Sequence, residues 1–226
     1  MSSTYLELCQ ELRQEVGIAG TGPTSVLNQT GMMSKIVNWI ADADVAIQGK
    51  WLDWTFMWDE FSENTIASTK DVTAPSDLGW WDTDSFWIDR TGSTPKKLLA
   101  MDYFEWRDIY PMTSGTDTPT YFIVKPDQDV ILHPVPNGIY ALTAEYWKSP
   151  TKMATNTSVS PIPARFDRLI VAQAKIYYAE HENAPEVMQS AVAEYMELIM
   201  RLEALFLPGQ SARITSNPKD MVIRPE

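Results

Sequence analysis

Ile36, Ile40, Ala43, Ile47, Trp51, Trp54 and Trp58 follow one another in steps of four, three, four, four, three and four. That rhythm places all seven side chains on one face of a helix, and it predicts a helix from about Met33 to Trp58. At 1.5 Å per residue such a segment reaches about 35 Å, the width of a whole domain. An apolar, tryptophan-rich stripe of that length needs a partner surface, so the chain must supply one or borrow one. Trp39 lies beside the stripe and extends its apolar face.

Other helical segments supply partners. Thr4 and Glu7 have the spacing of a capping box, and Leu8, Leu12 and Val16 follow on one face until Gly17 and the run Gly20-Thr21-Gly22-Pro23 stop the helix. Near the other end, Phe166, Leu169, Ile170, Gln173, Ile176 and Tyr177 read as a helix. Pro185 then stands at a first-turn position, where its missing N–H costs nothing. Ala191, Tyr195, Leu198, Leu202 and Leu205 alternate steps of four and three, a coiled-coil-like seam ended by Pro208-Gly209. First and last helical segments each need an apolar partner, and the economical solution is one bundle.

Between them the period shortens toward two. Asn64 to Val72 is expected as a strand leading to the Ala74-Pro75 turn. Phe86-Trp87-Ile88, Tyr121 to Val124 and Val130 to Leu132 read as further strands, the last two joined through Asp127-Gln128-Asp129. Asn137-Gly138 is a hairpin signal, after which Tyr140, Leu142, Ala144 and Tyr146 alternate. Leu98 to Ile109 reads as one short helix stopped by Pro111. The expected fold class is α+β. N- and C-terminal helices (residues 1–60 and 164–207) pack as one bundle with an inserted, mainly antiparallel β-domain (61–163) and an extended C-terminal tail (208–226).

Chemistry is harder to find. Thirty acidic residues against eighteen basic ones give a net charge of −12, which argues against phosphate-backbone binding as the main task. The basic residues are dispersed and form no stripe. Cys9 is the single cysteine, so no intrachain disulfide and no cysteine-based zinc site can form. The opening residues are amphipathic rather than a charged start with an apolar run, so no secretion signal is expected, and no apolar run is long enough to span a bilayer.

His133 and His181 are the only histidines, and neither has a nucleophile motif nearby. Asp77, Asp82, Asp84 and Asp89 cluster around Trp80-Trp81 but lack the glycine and terminal glutamate of a calcium loop. Paired carboxylates for glycoside hydrolysis remain conceivable, although close acidic pairs arise by chance in so acidic a chain. Gly17 to Gly22 lacks the Lys-Ser/Thr ending and the preceding strand of a phosphate loop. The expectation is no enzyme, no cofactor and no metal. Nine Trp, nine Tyr and seven Phe remain to be placed, in cores or at interfaces. Trp80, Trp81, Phe86 and Trp87 also suit a sugar-stacking platform.

Two segments are less generic. One is Tyr103-Phe104-Glu105-Trp106-Arg107-Asp108-Ile109-Tyr110-Pro111. The other begins at Pro119-Thr120-Tyr121-Phe122 and passes Pro134-Val135-Pro136-Asn137-Gly138-Ile139-Tyr140. It continues through Tyr146-Trp147-Lys148-Ser149-Pro150 to Ile162-Pro163-Ala164-Arg165. In that order they resemble the head-to-tail adaptor (connector) family of tailed phages. The resemblance spans residues 1–207, its specific part 95–180.

The resemblance implies a structural virion protein of the neck, assembled in the host cytoplasm. It would form a ring, usually a dodecamer, between the portal protein and a tail or nozzle protein. DNA would pass through without specific binding, and no membrane is involved. The candidate bundle or interface residues are Ile36, Ile40, Ile47, Trp51, Trp54, Trp58, Tyr195, Leu198, Leu202 and Leu205. Trp80, Trp81 and Trp87 are candidates for a β-domain surface or interface, and Arg213 and Arg224 for a portal-docking tail. The alternative is a carbohydrate- or receptor-binding virion tail protein that uses the Trp80–Trp87 region.

Overall fold

The structure is a computed structural model that describes residues 2–89, 94–110 and 115–208. In chain order its helices and strands are α1 (Tyr5–Glu15), α2 (Gly31–Gln48), β1 (Trp58–Asn64), β2 (Asp71–Val72), β3 (Leu78–Asp89), β4 (Lys96–Lys97), β5 (Leu99–Ala100) and α3 (Tyr103–Ile109), followed by β6 (Thr116–Asp117), β7 (Tyr121–Val124), β8 (Val130–His133), β9 (Val135–Pro136), β10 (Ala141–Lys148), α4 (Asp167–Glu182) and α5 (Pro185–Phe206). The fold is α+β. Two compact units divide it: one is Met57–Ser149, the other the flanking segments up to Phe56 and from Pro150. The connection 150–163 thus groups with the helices.

In the helical unit, α4 packs against α1, α2 and α5. A helix with neighbours on three sides must be apolar nearly all round, and Leu169, Ile170, Val171, Ala172 and Ala174 are all fully buried. Leu8 and Leu12 of α1 and Ile36, Ile40 and Ile47 of α2 complete that core. The Thr4–Glu7 capping box forms in both directions. Asn183, left-handed at φ 52°, ends α4, and Pro185 opens α5 as its sequence position demands.

The long helix stops early. α2 ends at Gln48, with Gly49 as its C-cap. The chain then turns, and Trp54 folds back so that its indole Nε1 donates to the Ile47 carbonyl at 3.1 Å. The helical rhythm beyond Gln48 is therefore not helical geometry. Trp54 is fully buried beneath the helix end, Trp51 is exposed with its Nε1 bonded to Glu203, and Trp58 opens a strand. The α5 seam is also offset. Ala191, Ile199 and Leu202 are the buried positions, Tyr195 and Leu198 are half-buried, and Leu205 is exposed. Among the described residues α4 is the helix packed along α5, and the apolar stripe is wider than the buried one.

The β unit holds two four-stranded sheets, ordered β1-β10-β3-β4 and β2-β8-β7-β5, and a small β6-β9 pair. Val72, Trp81, Phe86, Phe122, Leu132, Leu142 and Tyr146 form one core between the two sheets, with Phe86 and Phe122 stacked at 3.9 Å. Trp106 of α3 covers the other side of the second sheet over Ile123 and Ile131. The alternation at Leu142, Ala144 and Tyr146 is the buried face of β10, as expected.

Several boundaries differ from the sequence expectation. Residues 65–70 form a turn region between β1 and β2 rather than a strand. Leu99–Ala100 pairs in parallel with Tyr121–Phe122, so the helix starts only at Tyr103, where Asp102 caps it through bonds from the Phe104 and Glu105 amides. Pro111 lies outside the described residues. Asn137-Gly138 makes no hairpin: β9 pairs in parallel with β6, and β10 pairs with β1 and β3. Asn137 instead accepts from the Tyr140 hydroxyl, and the Thr65 hydroxyl donates to the Gly138 carbonyl.

Candidate interaction surfaces

The acidic tryptophan segment is not a loop but most of β3, which forces its side chains to alternate. Trp81, Phe86 and Ile88 point into the core, while Trp80 and Trp87 stand on the outer face. Register then builds rows across that face. Trp58 on β1, Trp147 on β10 and Trp80 on β3 are directly opposed neighbours. The next row is Glu60, Glu145 and Asp82, and the next is Ser62, Thr143 and Trp87. Sequence could not reveal the rows, because Trp147 and Glu145 lie 63 to 89 positions from their partners.

Trp80 and Trp147 stack at 4.4 Å with 10° between planes, so one face of each ring is taken by the other. Beside the stack the two strands come too close for a side chain at Gly79, where a Cβ would meet the Trp147 carbonyl oxygen at 2.9 Å. Trp58 Nε1 donates to Glu145 Oε2 at 3.1 Å. Between the second and third rows the register of β3 slips against β10, leaving Thr83 to Phe86 opposite Ala144. This bulge is held by the Ser85 hydroxyl, which accepts from the Glu145 amide at 2.7 Å and donates to the Asp82 carbonyl at 2.7 Å. It opens a shallow recess of about 330 Å³ lined by Glu60, Ser62, Ser85, Trp87, Thr143 and Glu145.

A second surface lies at the end of α5. Leu198, Ala204 and Leu205 with Phe166 form an apolar groove rimmed by Arg165 and Arg201. The Arg165 guanidinium lies over both Phe166 and Phe206. Met196, Met200 and Leu205 are each more than half exposed on the same helix.

Other titratable groups lie away from these two surfaces. Arg168 of α4 bonds Glu11 and Glu15 of α1 at 2.9 Å each and Glu194 of α5 at 2.5 Å, while Lys175 reaches Glu15 and Glu194. Hydrogen bonding from Arg168 holds the Glu15 carboxyl down at about 2. Burial pushes the Cys9 thiol up to about 12 and the Asp44 carboxyl up to about 6. Burial also lowers His133, and His181 sits exposed beside Glu182 and Lys35. No group of three His, Cys, Asp or Glu among the described residues is placed to hold a metal ion. Glu60 and Glu145 stand side by side on one surface rather than on opposite walls of a cleft, which is what glycoside hydrolysis requires.

Of the candidate residues, Ile36, Ile40, Ile47, Trp54 and Leu202 lie in the bundle core, and Trp81 lies in the β core. Trp51, Trp58, Trp80, Trp87 and Leu205 are exposed. Arg213 and Arg224 lie outside the described residues. The residues that sequence reading missed are Glu60, Ser85, Glu145 and Trp147, which only strand register brings together. No described helix is long and apolar enough to cross a membrane.

No curated protein matches the chain. A family model does, over residues 3–218. That span runs from the α1 cap through both units, and with it the chain belongs to the SU10 adaptor protein family.

Proposed function

We propose that this protein is a structural component of the phage neck, a head-to-tail adaptor that forms a ring between the portal and the tail and lines the DNA passage. The family match across both units carries the reading. The surface chemistry supports it. A ring contact is heterologous, so each protomer needs two different complementary patches. The apolar groove and methionine-lined face of α5 provide one kind of patch, and the aromatic outer face of the β1-β10-β3 sheet another. A net charge of −12 suits a passage that repels DNA rather than holding it. The helical unit carries the ring and portal contacts, and the segment with Arg213 and Arg224 extends the docking surface. Assembly takes place in the host cytoplasm.

The test is light scattering after size exclusion, on the protein alone and mixed with the portal of the same phage. The expected result is a monomer that joins the portal as a ring with the portal's own symmetry. Failure to associate at any of several salt concentrations would reject the adaptor role.

A further inference from the structure

The recess on the outer sheet face has a composition that the fold does not need. Glu60 and Glu145 are directly opposed across β1 and β10, with Asp82 next in the row on β3. Like charges directly opposite in a sheet are destabilising. Among the described residues no lysine or arginine pairs with any of the three; Lys97, opposite Trp87 on the same face, is tied to Asp84 at 3.6 Å. Ser62, Ser85 and Thr143 line it together with Phe61 and Ala144, and one wall is the indole of Trp87, 43% exposed. Beyond the carboxylates lies the Trp58–Trp147–Trp80 row.

A sheet that served only to enclose a core would favour alternating charges here. This one instead places carboxylates between a row of three tryptophans and the single indole of Trp87. A planar guanidinium is complementary to that arrangement: it donates to two carboxylates at once and lies on an indole face. Cation–π attraction adds to the ion pair where water is partly excluded. A neutral sugar would use the aromatic surface but would leave the Glu60–Glu145 repulsion in place. DNA is excluded by the same carboxylates.

We propose that the recess bounded by Glu60, Glu145 and Trp87 is a docking site for an arginine side chain, presented by a basic extended segment of a partner protein. The arginine enters between the two carboxylates with its guanidinium against Trp87, and the flanking chain crosses the Trp58–Trp147–Trp80 row. The inference stands on this surface and does not depend on the ring reading.

The experiment is calorimetric titration of the full chain with the peptide acetyl-Gly-Arg-Gly-Arg-Gly-amide at low and at physiological salt. The wild-type protein is expected to bind, with affinity falling as salt rises. Glu60→Gln with Glu145→Gln should weaken binding at least tenfold, and Trp87→Leu at least threefold. A charge-matched control on α4 and α5, Glu182→Gln with Glu186→Gln, should change it less than twofold. Because Trp87 is a surface side chain, that single variant keeps the test open if the double variant fails to fold. Equal weakening by the α4–α5 control would overturn the site in favour of diffuse charge. So would an absence of peptide binding, or Trp87-dependent binding of cellohexaose in its place.

Discussion

Trp54 Nε1 donates to the Ile47 carbonyl oxygen at 3.1 Å, so a side chain seven residues on closes the end of the helix it follows. The last four carbonyls of a helix lack partners within it, and that of Ile47 is shared between the Trp54 indole and the Lys50 amide at 3.3 Å. Here the capping group is also the largest fully buried side chain among the described residues.

Two substitutions separate these roles. Trp54→Phe keeps most of the ring and removes one of the two donors to Ile47, and it should cost about 0.5–1.5 kcal/mol. Trp54→Ala removes the ring as well and should cost about 3–5 kcal/mol. Urea unfolding followed by circular dichroism measures both. A Trp54→Phe variant as stable as the wild type would show that the hydrogen bond contributes nothing beyond packing.

Arg168 of α4 joins α1 to α5 through three carboxylates, and Lys175 bridges two of the same three. Arg168→Lys keeps the charge but cannot reach three carboxylates with a planar fork. It should therefore destabilise by about 1 kcal/mol, and Arg168→Ala by about 2 kcal/mol, the group being part-exposed and screened. A double-mutant cycle with Glu194→Gln checks the assignment. Strict additivity would mean that the pair is not coupled.

The Arg168 network was not legible in the sequence, since its members are local on three separate helices. What was legible follows from period. Leu142, Ala144 and Tyr146 alternate and are buried alternately; Leu169 and Ile170 fall on a helical face and are buried; Thr4 and Glu7 cap as their spacing demands. Period failed where two geometries fit the same residues. The steps from Ile47 to Trp58 suit a helix, yet Gly49 ends it and Trp54 returns to the same face through a turn. Asn137-Gly138 suits a hairpin, yet β9 finds β6 instead. The outer sheet face was half legible: Trp80 and Trp87 were visible, but Trp147, Glu60 and Glu145 joined them only through register.

Met200 is 61% exposed on α5 and next to the apolar groove in the helix. If this face takes part in ring assembly, Met200→Glu should abolish joining to the portal while leaving the thermal midpoint within about 2 °C, as surface changes do. Light scattering and thermal denaturation of the same preparation decide it. Normal joining by the variant would remove α5 from the interface.

Two buried or paired carboxyls give stability opposite slopes with pH. Asp44 is fully buried, its oxygens accepting from the Ser160 hydroxyl at 2.5 Å and the Gln48 amide at 2.8 Å. Burial outweighs those bonds and raises it from 3.8 to about 6. A raised acid favours the folded state when protonated, so its contribution is complete below pH 3.8 and is lost as pH rises through 6. By the usual conversion this amounts to at most ~3 kcal/mol. Glu15 is the reverse: the hydrogen bond from Arg168 lowers it from 4.5 to about 2, so its contribution is present above pH 4.5 and disappears as pH falls toward 2. Being part-exposed, it is worth about 1 kcal/mol after screening. The Asp44 limb should therefore raise stability as pH falls from 7 to about 4, and the Glu15 limb should lower it between about 4.5 and 2. Asp44→Asn should flatten the upper limb, and Glu15→Gln the lower one. Thermal midpoints between pH 3 and 8 for the three proteins measure both limbs. An upper limb unchanged in Asp44→Asn would mean that another group titrates there.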